Sequence, residues 1–157
     1  MSMLTGLTTI RLIPWHRWLC YAVWLLLCVT GVWWWWDQDL QMNDPTERAS
    51  LLMKVHGIAA AVVLVLFGSL LSTHVRVAWQ RKRNRASGVL ALLLMTVLSV
   101  TGLGLYYASY DSREWVHQAH LWVGGLAMLL LPLHVLVGRF QRRQQTLGAL
   151  LSKHLRR

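Results

Sequence analysis

The chain has 157 residues, a length that bounds it to one domain. Apolar residues make up 55% and charged residues 14%, and the apolar ones fall in long blocks, which excludes an ordinary soluble core and predicts a membrane protein. The net charge of +10 would suggest a nucleic-acid partner in a soluble chain, but here the basic residues flank hydrophobic runs, and membrane orientation accounts for them without nucleic acid.

In chain order, a short basic segment (Arg11, Arg17, with Pro14) leads into a first apolar span at about 18–36. This span is too long for a signal peptide, ends in four tryptophans and lacks a small-residue cleavage site, so it reads as retained. A polar loop at 37–50 carries Asp37, Asp39, Asp44, Pro45 and Glu47. The second span covers about 51–77 and is followed by a basic loop with Arg76, Arg81, Lys82, Arg83 and Arg85. The third span covers about 88–107, a short connection holds Asp111 and Glu114, and the fourth covers about 116–137. A basic tail at 139–157 carries Arg142, Arg143, Lys153, Arg156 and Arg157; its weakly amphipathic LGALLSKHL stretch is expected to lie on the membrane surface. The predicted fold is therefore all-α: one transmembrane domain, a four-helix bundle of up-down-up-down order, because the connections are short.

All six acids lie in the first and third connections, while the N-terminal segment, second connection and tail hold most of the bases. The positive-inside rule then puts both termini in the cytoplasm and the acidic loops outside. The chain also reads as an internal repeat: Val29-Thr30-Gly31 and Val100-Thr101-Gly102 each precede aromatics, an acidic loop and a helix with two histidines. The two cysteines, Cys20 and Cys28, are two helical turns apart on the first span, too far for a disulfide within one helix. No Cys-x-x-Cys-His motif for covalent haem and no nucleotide-binding glycine motif occurs.

The histidines carry the chemistry. His56 and His74 bracket an uncharged apolar run and are 18 residues apart, five turns and ~27 Å of rise in an α-helix, so they share a face. His120 and His134 bracket a second such run, 14 residues apart, and share a face to within about 40°. Two membrane helices with a histidine near each end suit two haems, each held by axial nitrogens on opposite sides of the ring. The expected ligands are His56 with His120 for the outer haem and His74 with His134 for the inner one. Arg76 and Arg139 are placed for the inner propionates, and Lys54 or Arg113 for the outer ones. Glycines (Gly31, Gly57, Gly68, Gly102, Gly104, Gly124, Gly125) would let helices close over the rings. Two alternatives stay open: His117 in place of His120, and His16, at the start of the first span beside Trp15 and Trp18, in place of His74. His154 lies in the basic tail and reads as solvated. Histidines and glycines also serve plain helix packing in membranes. Zinc is the weaker metal, since no histidine pair at i, i+4 has a carboxylate nearby.

At these residues the chain resembles small bacterial four-helix di-haem cytochrome b proteins. These are similar to the membrane cytochrome b subunits of formate dehydrogenases and nickel-iron hydrogenases, and an uncharacterised family of small four-helix bacterial membrane proteins looks closer still. The resemblance runs over about residues 14–140. It is carried by Pro14-Trp15-His16-Arg17-Trp18, Thr30-Gly31, Lys54-Val55-His56-Gly57, Ser72-Thr73-His74, Arg83-Asn84-Arg85-Ala86-Ser87-Gly88, Thr101-Gly102, His120 and His134. It implies bis-histidine b-type haems stacked across a bacterial inner membrane. The formate dehydrogenase pattern implies an inner-haem ligand at His16; the small family carries one at His74.

The expected function is electron transfer through two haem b groups between the quinone pool and an outer-side redox protein or dehydrogenase subunit. The acidic outer loops would offer a docking surface. Two other expectations stand beside it: a non-redox anchoring or assembly subunit, and a haem-dependent reductase of an external small substrate with His117 at its site.

Overall fold

A computed structural model describes residues 14–44, 46–80 and 84–154. The expectations for the N-terminal segment with Arg11, for Pro45, for Arg81, Lys82 and Arg83, and for Arg156 and Arg157 lie outside the described residues. Among the described residues everything regular is helical. Helix α1 (Pro14–Trp34) runs into a π-helical turn, Trp35–Leu40. Helix α2 (Glu47–Leu70) runs through a second π-helical turn, Leu71–Val75, into the short α3 (Arg76–Gln80). Helices α4 (Arg85–Tyr107) and α5 (Tyr110–His154) complete the chain.

Four stretches are long and apolar enough to cross a membrane: Pro14–Leu40, Glu47–Gln80, Arg85–Tyr107 and Tyr110–Gly148. Few side chains are buried in the protein itself: Val23, Thr30, Ala49, Ala59, Leu94 and Ala127. Large apolar side chains such as Val65 and Leu129 stand open, at 74% and 72% exposure, on helices too apolar to favour water. Small residues at the contacts allow close helix approach without a bulky core.

The chain divides into two compact units, Met1–Arg81 and Lys82–Arg157. The first is an antiparallel hairpin of α1 and α2, the second an antiparallel hairpin of α4 and α5. In the first, Asp37, Asp39, Asp44 and Glu47 gather at the loop end, with Arg17 and Arg76 toward the open end; in the second, Asp111 and Glu114 mark the loop end, with Arg85, Arg139, Arg142 and Arg143 at the other.

Local chemistry sets the element boundaries. In the first loop Met42 takes a left-handed conformation (φ 51°), costly for a non-glycine residue, and the turn is tied by Asn43 Nδ2 donating to Asp37 Oδ1 at 2.8 Å. Thr46 caps α2 by accepting from the Ala49 N–H at 3.2 Å, with Glu47 favourably placed in the first turn. Asn84, which tolerates left-handed backbone well, takes φ 49° just before α4.

Two features differ from the sequence expectation. The second span is not one unbroken α-helix: around His74 the turn widens to the i→i+5 pattern, and each residue there advances by less than the α-helical ~100°. The five-turn count that put His74 on the His56 face therefore falls short. The helix that carries the fourth span does not end near residue 137. Helix α5 continues through the basic tail to His154, 45 residues in all, so the LGALLSKHL stretch continues α5 instead of forming a separate surface segment.

Candidate functional site

Each hairpin carries two polar rungs, one near the loop and one near the open end. The loop-end rung of the first hairpin joins Thr30 Oγ1 to His56 Nδ1 at 2.9 Å, and that of the second joins Thr101 Oγ1 to His120 Nδ1 at 2.8 Å. The residue after each threonine is a glycine against the ring. A Cβ at Gly31 would lie 3.2 Å from His56 Cε1, and one at Gly102 would lie 3.4 Å from His120 Cε1. A Thr-Gly pair on one helix thus holds a histidine on the other: the hydroxyl fixes Nδ1 and the missing side chain admits Cε1.

The hydroxyl protons decide the tautomer. Thr30 Oγ1 donates to the Leu26 carbonyl at 2.7 Å, with Leu27 at 3.2 Å, and Thr101 Oγ1 donates to Val97 at 2.8 Å, with Leu98 at 3.3 Å. A hydroxyl has one proton, so an oxygen that gives it to the carbonyl accepts from Nδ1–H, and one that gives it to Nδ1 does not. In the first arrangement Nδ1 of His56 and of His120 is the protonated nitrogen and Nε2 holds the lone pair. An imidazole binds a metal through its lone-pair nitrogen while its other N–H is held by a partner, the form that arrangement gives both rings.

The open-end rungs exchange partners between the hairpins. In the second, His134 Nδ1 lies 3.1 Å from Ser87 Oγ, with Gly88 following. Here the serine's contact to the Asn84 carbonyl is long, 3.4 Å, and its proton is less firmly committed. In the first, the histidine is on the first helix: Ser69 Oγ meets His16 Nε2 at 3.2 Å while donating to the Leu66 carbonyl at 2.7 Å. His16 precedes Thr30 by 14 residues, as Ser87 precedes Thr101. The two rungs of each hairpin are thus separated by about 21 Å of helix. His16 also differs from the other three in that its hydroxyl partner sits on Nε2.

His74 is half-buried in the π-helical turn, five residues past Ser69 and so beyond the open-end rung. His117 is half-buried one turn before His120; His154 is exposed. Arg76, Arg139, Lys54 and Arg113 are exposed. Cys20 and Cys28 are free thiols. Trp15 packs on His16 with ring centroids 5.6 Å apart. No group of three or more His, Cys, Asp or Glu side chains converges among the described residues, so the histidines are not arranged as a multi-ligand ion site of the zinc type.

Comparison of the chain with protein-family models, with characterised proteins and with solved structures returns no match.

The sequence reading did not anticipate the hydroxyls as ring partners. Thr30 and Thr101 stood out only as a repeated Thr-Gly pair, and Ser69 was not singled out. The signal is a hydroxyl-glycine dipeptide opposite each ring: Thr30-Gly31, Thr101-Gly102, Ser87-Gly88 and, in reverse order, Gly68-Ser69.

The glycine contacts make a prediction independent of any cofactor. His56 is pinned by Thr30, one residue before Gly31, so the ring cannot yield to a methyl group without straining the 2.9 Å bond. Gly31→Ala is expected to destabilise the protein by roughly 1–3 kcal/mol. A Cβ at Gly125 meets nothing within 4 Å, so Gly125→Ala is expected to be neutral or to stabilise by up to about 1 kcal/mol. Thermal unfolding in detergent checks the contrast; equal melting temperatures for the two variants would show that the Gly31 contact carries no energy.

Proposed function

We propose that this chain is a multi-pass protein of the bacterial inner membrane, a four-helix di-haem b-type cytochrome that carries electrons between the quinone pool and a redox partner on the outer side. The observation that carries the proposal is the pair of loop-end rungs. Two histidines in repeated positions are both held at Nδ1 by a threonine and both admitted by a glycine, and a ring held at Nδ1 is one that can offer Nε2 to a metal. A haem asks for nitrogens from separate helices, and His56 and His120 stand on α2 and α5.

The outer haem would take His56 and His120. The inner haem would take His134 together with His74 or His16. Of these, His16 has the support of the ladder, since it stands at the same spacing from its loop-end rung as the second hairpin's open-end rung does. Against His16, Ser69 engages its Nε2 at 3.2 Å, so iron there would have to bind Nδ1 or displace that serine. Arg76 and Arg139, exposed toward the open ends, are the cations for the inner propionates, and Lys54 or Arg113 for the outer ones. When bound, the haems supply one-electron chemistry; the protein supplies ligand orientation, apolar surroundings and charge. The charge polarity of each hairpin favours acidic loop ends outside and basic open ends, with both termini, inside. The acidic loops would face a basic periplasmic partner or a dehydrogenase subunit.

The same rungs favour a second reading, in which a non-redox anchoring subunit uses them as interhelical hydrogen bonds, worth roughly 0.6–2 kcal/mol each in membranes. A reduced-minus-oxidised spectrum with a pyridine haemochrome count separates the two. Two b-type haems per chain are expected. A chain produced with ample haem that binds none would leave the anchoring role.

A further inference from the structure

The second hairpin holds its charges at opposite ends. Its only acids, Asp111 and Glu114, lie at the loop end, and its open end carries Arg85, Arg139, Arg142 and Arg143. Helix α4 alone separates the two ends by about 34 Å. No carboxylate side chain of this hairpin is therefore in reach of the basic end, and the anion that balances it must come from outside. At that end a cleft of about 500 Å³ opens between the start of α4 and the face of α5, lined by Arg85, Ser87, Val137, Gln141 and Gln145 among others. Arg142 follows Gln141 and lies one turn before Gln145, so it borders the cleft. Val137 closes the long uncharged run of α5, and Leu133 and Leu136 just before it are exposed, as are Val89 and Leu90 on α4. The cleft thus sits where apolar helix gives way to basic helix.

We propose that this cleft seats the headgroup of an anionic phospholipid, with the phosphodiester against Arg85 and Arg142 and the acyl chains along the exposed apolar flanks of the hairpin. The inference rests on the membrane reading above and makes no use of haem. A guanidinium matches two phosphate oxygens in one plane, which suits arginine to this anion. The amides of Gln141 and Gln145 can donate to and accept from the hydroxyls of a glycerol head. A choline head would bring a second cation to Arg85 and Arg142 with no carboxylate to receive it, so the cleft selects against zwitterionic lipid. A soluble phosphate ester would use the arginines and leave the apolar flanks unused.

The test titrates the full-length protein in detergent with phosphatidylglycerol or phosphatidylcholine and reads the bound fraction by native mass spectrometry. The parent is expected to prefer phosphatidylglycerol. A surface arginine contributes about fivefold to anionic-lipid binding, so Arg85→Gln and Arg142→Gln should each lower the preference about fivefold, and together about thirtyfold. Arg48→Gln removes the same charge beside Glu47, at the loop end of the first hairpin, and should leave the preference unchanged. An equal loss in Arg48→Gln would assign the preference to net charge and overturn the site, as would equal binding of the two lipids by the parent. Displacement of the lipid by glycerol 1-phosphate at matching concentration would make the cleft a site for soluble phosphate esters and overturn the lipid assignment. Should the double variant not fold, salt decides on the parent. Raising it from about 0.05 M to about 0.5 M should weaken the preference, and a preference indifferent to salt would overturn the proposal. A parent without haem leaves every one of these outcomes readable, whereas a chain that stays in solution without detergent would fail at the membrane reading itself.

Discussion

If two b-type haems are bound as proposed, replacing His56 and His120 together with leucine is expected to remove one of them and leave the other. The two positions are equivalent in the repeat, each facing a Thr-Gly pair and each held at Nδ1. Losing both nitrogens would leave the proposed outer haem without axial ligands, so the expected effect is a halving of the haem count per chain. The remaining haem should keep its spectrum, because the open-end rungs lie about 21 Å of helix away. Leucine suits a membrane-facing helix, so the variant should still insert, although Thr30 and Thr101 lose their ring partners. Those hydroxyls remain satisfied by the carbonyls of Leu26 and Val97, which limits the penalty. A pyridine haemochrome count gives the answer: two haems retained would remove His56 and His120 from the ligand set.

The second large effect separates His16 from His74. If His16 is the partner of His134, His16→Leu halves the haem count and His74→Leu does not; if His74 is the partner, the results exchange. The ladder spacing leads us to expect the first outcome. Ser69→Ala adds a signed check, since it removes the hydroxyl that engages His16 Nε2 at 3.2 Å. With His16 as ligand, that change should strengthen retention of the inner haem. With His74 as ligand, it should leave retention unchanged. Loss of the inner haem in neither leucine variant would show that this centre does not draw on the first hairpin's open end.

The four long helices were legible because long uncharged apolar runs have few alternatives to a helix. The pairing of histidine-bearing stretches with Thr-Gly repeats was legible too, as sequence symmetry. What was hidden follows from what a one-dimensional pattern contains. A serine in a helix can satisfy itself on the carbonyl one turn back, as Ser69 does on Leu66, so its identity does not announce a second bond to His16 across the hairpin. The wide turn around His74 costs nothing in hydropathy, because LSTHV reads the same in either helical form. The length of α5 was missed for a related reason. Arg139, Arg142 and Arg143 mark where apolar surroundings end, but they are good helix formers, and the helix runs on through them.

That long helix has a mechanical consequence. At about 1.5 Å per residue α5 extends for about 68 Å, more than twice a hydrocarbon thickness of about 30 Å. Pro132 lies within it, where the missing N–H removes the bond to the Met128 carbonyl and makes the easiest place to bend. This soft point falls between His120 and His134. His134 is therefore coupled to the protruding rod, and His120 to the other half of the helix. Residues from Arg139 to His154 hold a fixed angular phase with His134, so a torque applied to the far end of the rod is delivered to that imidazole first.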